Sequence, residues 1–63
     1  MIRRDHRNIG KRVHVAVDSH PYSGRTGVVM GFRGDFSHRV PFVSVRFGLQ
    51  VIPVRGDWLE EQK

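Results

Sequence analysis

Apolar and polar residues alternate along most of the chain, and a period of two argues for strands rather than helices. In Arg12-Val13-His14-Val15-Ala16-Val17 the valines fall on one face and Arg12 and His14 on the other, the pattern of a half-buried strand. A second strand is expected from about Thr26 to Arg33, with Gly31 weakening it or marking a bulge. The clearest pattern is Val40-Pro41-Phe42-Val43-Ser44-Val45-Arg46-Phe47, with Val43, Val45 and Phe47 facing in and Phe42, Ser44 and Arg46 facing out. Gly48-Leu49 then reads as a two-residue turn, with glycine where a type II′ hairpin needs a positive φ. Gln50-Val51-Ile52-Pro53-Val54-Arg55 returns as the fourth strand.

That turn sets a register. Phe47 falls opposite Gln50, Val45 opposite Ile52 and Val43 opposite Val54, so Ile52 and Val54 join the core. On the other face Phe42 meets Arg55, Ser44 meets Pro53 and Arg46 meets Val51. Pro53 has no N–H, which assigns its position to an edge or a bulge. Gly56-Asp57-Trp58 predicts a turn or a single 3₁₀ turn and Leu59-Glu60 a short last strand, with Trp58 and Leu59 as the lid of the core. Asp18 to Gly24 and Gly34 to Arg39 are loops rich in turn formers, and Glu60 to Lys63 is a solvated tail. The fold class is therefore all-β: five short strands over residues 10–63, curled into a closed or nearly closed barrel that limits exposed edges. Residues 1–9 form a short basic arm bearing Arg3, Arg4 and Arg7, which only Ile2 and Ile9 can anchor; it is expected to be mobile until something binds it.

Composition narrows the class. At 63 residues the chain is one domain, burying only about 60% of its unfolded surface, so a partner or an oligomer would add stability. With no cysteine there is neither a disulfide nor a thiolate metal site, which fits a cytoplasmic protein. No apolar run approaches the about 18 residues of a membrane span. The charged start, Met1 to Arg7, lacks the apolar stretch of a signal peptide. The net charge is +5 and the pI is near 11.2. Nine of the eleven cations are arginine, whose planar fork suits phosphate. This is the electrostatic footprint of a nucleic-acid binder.

Two resemblances follow from local motifs. Gly10-Lys11-Arg12-Val13, through Tyr22-Ser23-Gly24-Arg25-Thr26-Gly27-Val28-Val29, resembles a KOW motif: a hydrophobic strand, a loop, then G-x-x-G-x-V, with Gly24, Gly27 and Val29 at the matching places. The resemblance implies an SH3-like barrel, as in ribosomal proteins and transcription elongation factors, and contact with RNA. The V-x-V-x-F strand, hairpin and terminal Leu-Glu also resemble other small SH3-like barrels, including accessory subunits of photosynthetic complexes. More narrowly, Gly48-Leu49-Gln50-Val51-Ile52-Pro53-Val54 with Leu59-Glu60 is similar to the last hairpin of plasmid-borne type II dihydrofolate reductases, homotetramers that reduce dihydrofolate with NADPH in a shared pore. That family's pore segment reads Val-Gln-Ile-Tyr-Pro-Val. Here Ile52 stands at the tyrosine position, and the pore lysine has no counterpart.

The leading expectation is a non-catalytic RNA- or DNA-binding module. Its candidates are Arg12 and His14 on the first strand, Tyr22 and Arg25 at the glycine-rich loop, Arg33, Phe36, His38 and Arg39 around the second loop, and Phe42, Arg46 and Arg55 on the second hairpin. Arginines would neutralise phosphates and aromatic rings would stack bases. The alternative for each is local: arginine packs on an outward ring, and Tyr22 and Phe36 plug the barrel ends. A rival class is a protein-interaction module or small structural subunit, pairing or forming a homo-oligomer through Phe42 and Val51 with Met30 or Phe32. No metal or cofactor is expected, since His6, His14, His20 and His38 lack the short paired spacings of a zinc site. No serine has a nucleophile-elbow context, and Gly24-Arg25-Thr26-Gly27 is too short for a P-loop.

Overall fold

The structure, a computed structural model, describes residues 1–33 and 41–62. Five strands occur in the described residues: β1 (Arg12–Val15), β2 (Thr26–Arg33), β3 (Phe42–Phe47), β4 (Gln50–Arg55) and β5 (Leu59–Glu61). They form one antiparallel sheet in the order β4-β3-β2-β1-β5. Two 3₁₀ turns, His6–Asn8 and Gly56–Trp58, complete the regular structure. No described helix is long and apolar enough to cross a membrane.

The β3–β4 hairpin has the register its turn dictates, from Phe47 opposite Gln50 to Phe42 opposite Arg55. Gly48 has φ 63° and Leu49 has no positive φ, which is the type II′ pattern. A bulge lies in β2: Val29 pairs with Val45, and the next pair is Gly31 with Ser44, so Met30 is the extra residue. The insertion changes the phase of everything after it. Phe32 thereby packs on the core, while Arg33 comes level with Phe42 on the outer face.

The core consists of Ile2, Val13, Val15, Val29, Val43, Val45, Phe47, Val54 and Leu59. Six of these are valines from β1 to β4, where a branched Cβ suits the pleated backbone. Tyr22, Phe32, Ile52 and Trp58 pack around the core while half-buried. Leu59 is wholly buried and belongs to the core itself, whereas Trp58 is half-buried and packs against it.

The sheet differs from a closed barrel. β4 and β5 end the strand order and do not pair with each other. The second 3₁₀ turn carries the chain between them, leaving no strand there to complete a ladder. Single hydrogen bonds bind this turn to its surroundings: Gly56 N–H donates to the Pro41 carbonyl at 2.9 Å, Ile2 N–H to the Gly56 carbonyl at 2.8 Å, and Ala16 N–H to the Trp58 carbonyl at 2.8 Å. A Cβ on Gly56 would collide with the Ile2 carbonyl oxygen, so only glycine fits this joint. Two strand limits also shift. β1 ends at Val15, because Ala16 bonds to the 3₁₀ turn, and β3 is described from Phe42 onward. The arm is held at Ile2, which is in the core, while Ile9 is 46% exposed.

Candidate nucleic-acid interface

Directly opposed residues in an antiparallel sheet share a face, so the register assembles the outer surface row by row. One row is Arg33–Phe42–Arg55. The next is Gly31–Ser44–Pro53. The third is Arg12–Val28–Arg46–Val51. Neighbouring strands lie about 4.8 Å apart, and the first and third rows, four residues apart on β3, about 13 Å. The middle row has only small side chains, so the face is low between two taller, arginine-bearing rows.

Charge is segregated on this face. β2, β3 and β4 contain no Asp or Glu; the six acids are Asp5, Asp18, Asp35, Asp57, Glu60 and Glu61. Arg12, Arg33 and Arg46 are exposed and have no ion-pair partner among the described residues. Arg55 is different. Its Nε and a terminal nitrogen donate to the Asp57 carboxylate at 3.1 and 2.8 Å, and its guanidinium lies 5.2 Å from the Trp58 ring centre. Arg55 is therefore partly neutralised and oriented by its own turn.

His14 lies on the same face in the row next to that of Arg12, opposite Thr26 on β2 and Glu60 on β5. It is half-buried, and its Nδ1 is enclosed without a hydrogen-bond partner. It is thus a poorer phosphate ligand than its outward register suggests.

Tyr22 and Arg25 lie apart from that face, at the glycine-rich loop. The Tyr22 ring stacks on Phe47 with centres 5.0 Å apart and planes 9° from parallel. Its hydroxyl donates to Gln50 Oε1 at 2.8 Å. The Arg25 guanidinium sits 4.8 Å from the Tyr22 centre and 6.0 Å from that of Phe47, beside the pair and within reach of both. Tyr22 N–H donates to His20 Nδ1 at 3.0 Å. The His20 ring in turn lies 5.7 Å from Trp58 and 6.1 Å from Tyr22.

The structure thus divides the sequence candidates into an outer-face group (Arg12, Arg33, Phe42, Arg46, Arg55) and a loop group (Tyr22, Arg25). Phe36, His38 and Arg39 lie outside the described residues. His20, Gln50 and Trp58 were not site candidates from sequence; the His20–Trp58 and Tyr22–Gln50 contacts join distant parts of the chain and leave no local pattern. On the arm, Arg7 forms a bidentate pair with Asp5, at 2.8 Å at its closest. Hydrogen bonds from the Arg7 side chain and backbone lower the Asp5 pKa from 3.8 to about 2. Around the second turn-borne resemblance, Leu49 is fully exposed and Ile52 packs on the core, so no polar group stands at the tyrosine position. No protein-family model, curated protein or solved structure matches the chain.

Proposed function

We propose that the chain is a non-catalytic SH3-like, KOW-like module that binds RNA or DNA through arginine–phosphate contacts on the outer face of β2, β3 and β4. The observation that carries this reading is the face itself: Arg12, Arg33 and Arg46 are exposed and have no ion-pair partner among the described residues, and β2, β3 and β4 hold no carboxylate. An acidic partner meets no carboxylate on β2, β3 or β4 themselves, and the bulge that turns Arg33 outward is part of how the face is built. The KOW resemblance has a physical counterpart as well. Gly24 has φ 77°, and a Cβ on Gly27 would approach Val45 Cγ1 to 2.6 Å, so both motif glycines serve the backbone.

Binding should be dominated by counterion release. Three neutralised phosphates give a slope of log affinity against log salt of about −2 to −3. The test is a salt titration with mixed-sequence oligonucleotides. Binding that is strong at about 50 mM salt and falls with that slope supports the reading, and no binding at that salt overturns it. A protein-interaction role is the second reading, favoured by the exposed Leu49 in the β3–β4 turn (103%) and Val51 on β4 (54%), at one end of the strand order. Light scattering that shows a concentration-dependent mass would support it.

A further inference from the structure

A second surface adjoins the arginine face, and it is made of rings. Trp58, His20 and Tyr22 form a half-buried row, with centre-to-centre steps of 5.7 and 6.1 Å. Arg55 stands at the Trp58 end and Arg25 at the Tyr22 end. Arg55 also belongs to the outer row with Phe42, so the arginine face and the ring row meet at one side chain. From the ring row and its bracketing cations we infer that the nucleic acid is bound as a single strand, with unpaired bases laid against Trp58, His20 and Tyr22. This rests on the nucleic-acid reading above and adds the form of the ligand.

Two features favour single strands over duplex, and a third sets where a phosphate would sit. First, aromatic rings attract bases only when those bases are unpaired and splayed out, and each base–ring contact is sequence-tolerant. Second, hydrogen-bond donors remain beside the rings. His20 Nδ1 accepts the Tyr22 N–H, so in the neutral ring the proton resides on Nε2. Gln50 Oε1 accepts the Tyr22 hydroxyl, which orients its amide nitrogen as a further donor. Both donors suit the carbonyl and ring-nitrogen acceptors on base edges, which pairing would conceal. Third, charge is asymmetric along the row. Arg55 is held by Asp57 and acts chiefly to fix Trp58 from above, whereas Arg25 has no ion pair among the described residues and is available to a phosphate.

The chain carries its own probe, since Trp58 is its sole tryptophan. Titrating the intact protein with a short mixed-sequence single strand, and with the duplex of the same sequence, should quench Trp58 emission with the single strand and favour it in affinity. His20→Ala and Arg25→Ala should each weaken single-strand binding, His20→Ala by about five- to a hundredfold if its stacking contact is lost. Because Trp58→Leu also loosens core packing, Trp58→Phe serves as the conservative variant: it keeps a ring, so affinity measured by oligonucleotide anisotropy should stay within about threefold of the parent. Single-strand and duplex binding of equal strength, or binding with unchanged Trp58 emission, overturns the ring row and leaves the arginine face standing. No binding to either form overturns both.

Discussion

Individual side chains here differ less in type than in whether a partner already holds them. Arg7 is bound to Asp5, Arg55 to Asp57, and Lys11 to Glu61 at 3.6 Å, while Arg12, Arg33 and Arg46 stand unpaired among the described residues. A sequence displays the nine arginines as equals, and only the fold shows which are spoken for. The Asp5 pair gives a titration test. Its pKa is lowered, so the pair contributes stability in full above the unfolded value of about 3.8 and loses it as pH falls through about 2. In a carboxyl-carbon NMR titration, Arg7→Ala should move the Asp5 midpoint up toward 3.8; an unchanged midpoint would refute the pairing. Within the core, Leu59→Ala removes a wholly buried side chain, a loss of about 2–5 kcal/mol. A domain of this size holds only about 3–5 kcal/mol in its core. Leu59→Ala should therefore unfold partly or fully at room temperature, which circular dichroism in urea would show.

At the level of strands and turns, much of the architecture was legible. The Gly48-Leu49 turn carried the hairpin register with it, Gly31 marked the bulge, and Pro53 marked a strand that does lie at the edge. Each is a local signal, written in the residue that needs an unusual φ or lacks an N–H. Closure of the barrel was not legible, because it depends on how far the ends of a twisted sheet come round, which no periodicity records. Nor was the joint at Gly56. Ile2, Pro41 and Gly56 are distant in sequence, and glycine at 56 looked like turn chemistry rather than a point where two backbones touch. Gly56→Ala should push the arm away from the turn, at a cost of about 1–3 kcal/mol. Hydrogen exchange would report it directly: the Ile2 amide, protected by the Gly56 carbonyl, should exchange much faster in the variant while the β2 and β3 amides change less.

For the molecule as a whole, the electrostatics are those of two unlike sides. The carboxylates of Glu60 and Glu61 lie on β5 at one end of the strand order, while Arg33 and Arg46 lie on β2 and β3 and Arg12 on β1 between them. On the proposed reading, an approaching polyanion is expected to be steered to the β2–β3 side. Arg46→Ala and Arg33→Ala should each reduce the salt slope by about 0.7–0.9, one phosphate apiece, and should do so alike for every sequence. Arg7→Ala, which removes a cation already neutralised by Asp5, should leave the slope nearly unchanged. Equal effects of all three would mean that net charge alone binds the ligand and that the face has no special part.

The strand order also bears on how the protein is made. β1 lies between β2 and β5, pairing residues 13–15 with residues 59–61, and the Ile2 N–H donates to the Gly56 carbonyl. During translation β1 therefore waits, half-paired and with Val13 and Val15 uncovered, until nearly all of these residues have left the ribosome. Completion of the sheet therefore waits on residues 59–61, whereas β3 and β4, joined by a two-residue turn, form its most local pair.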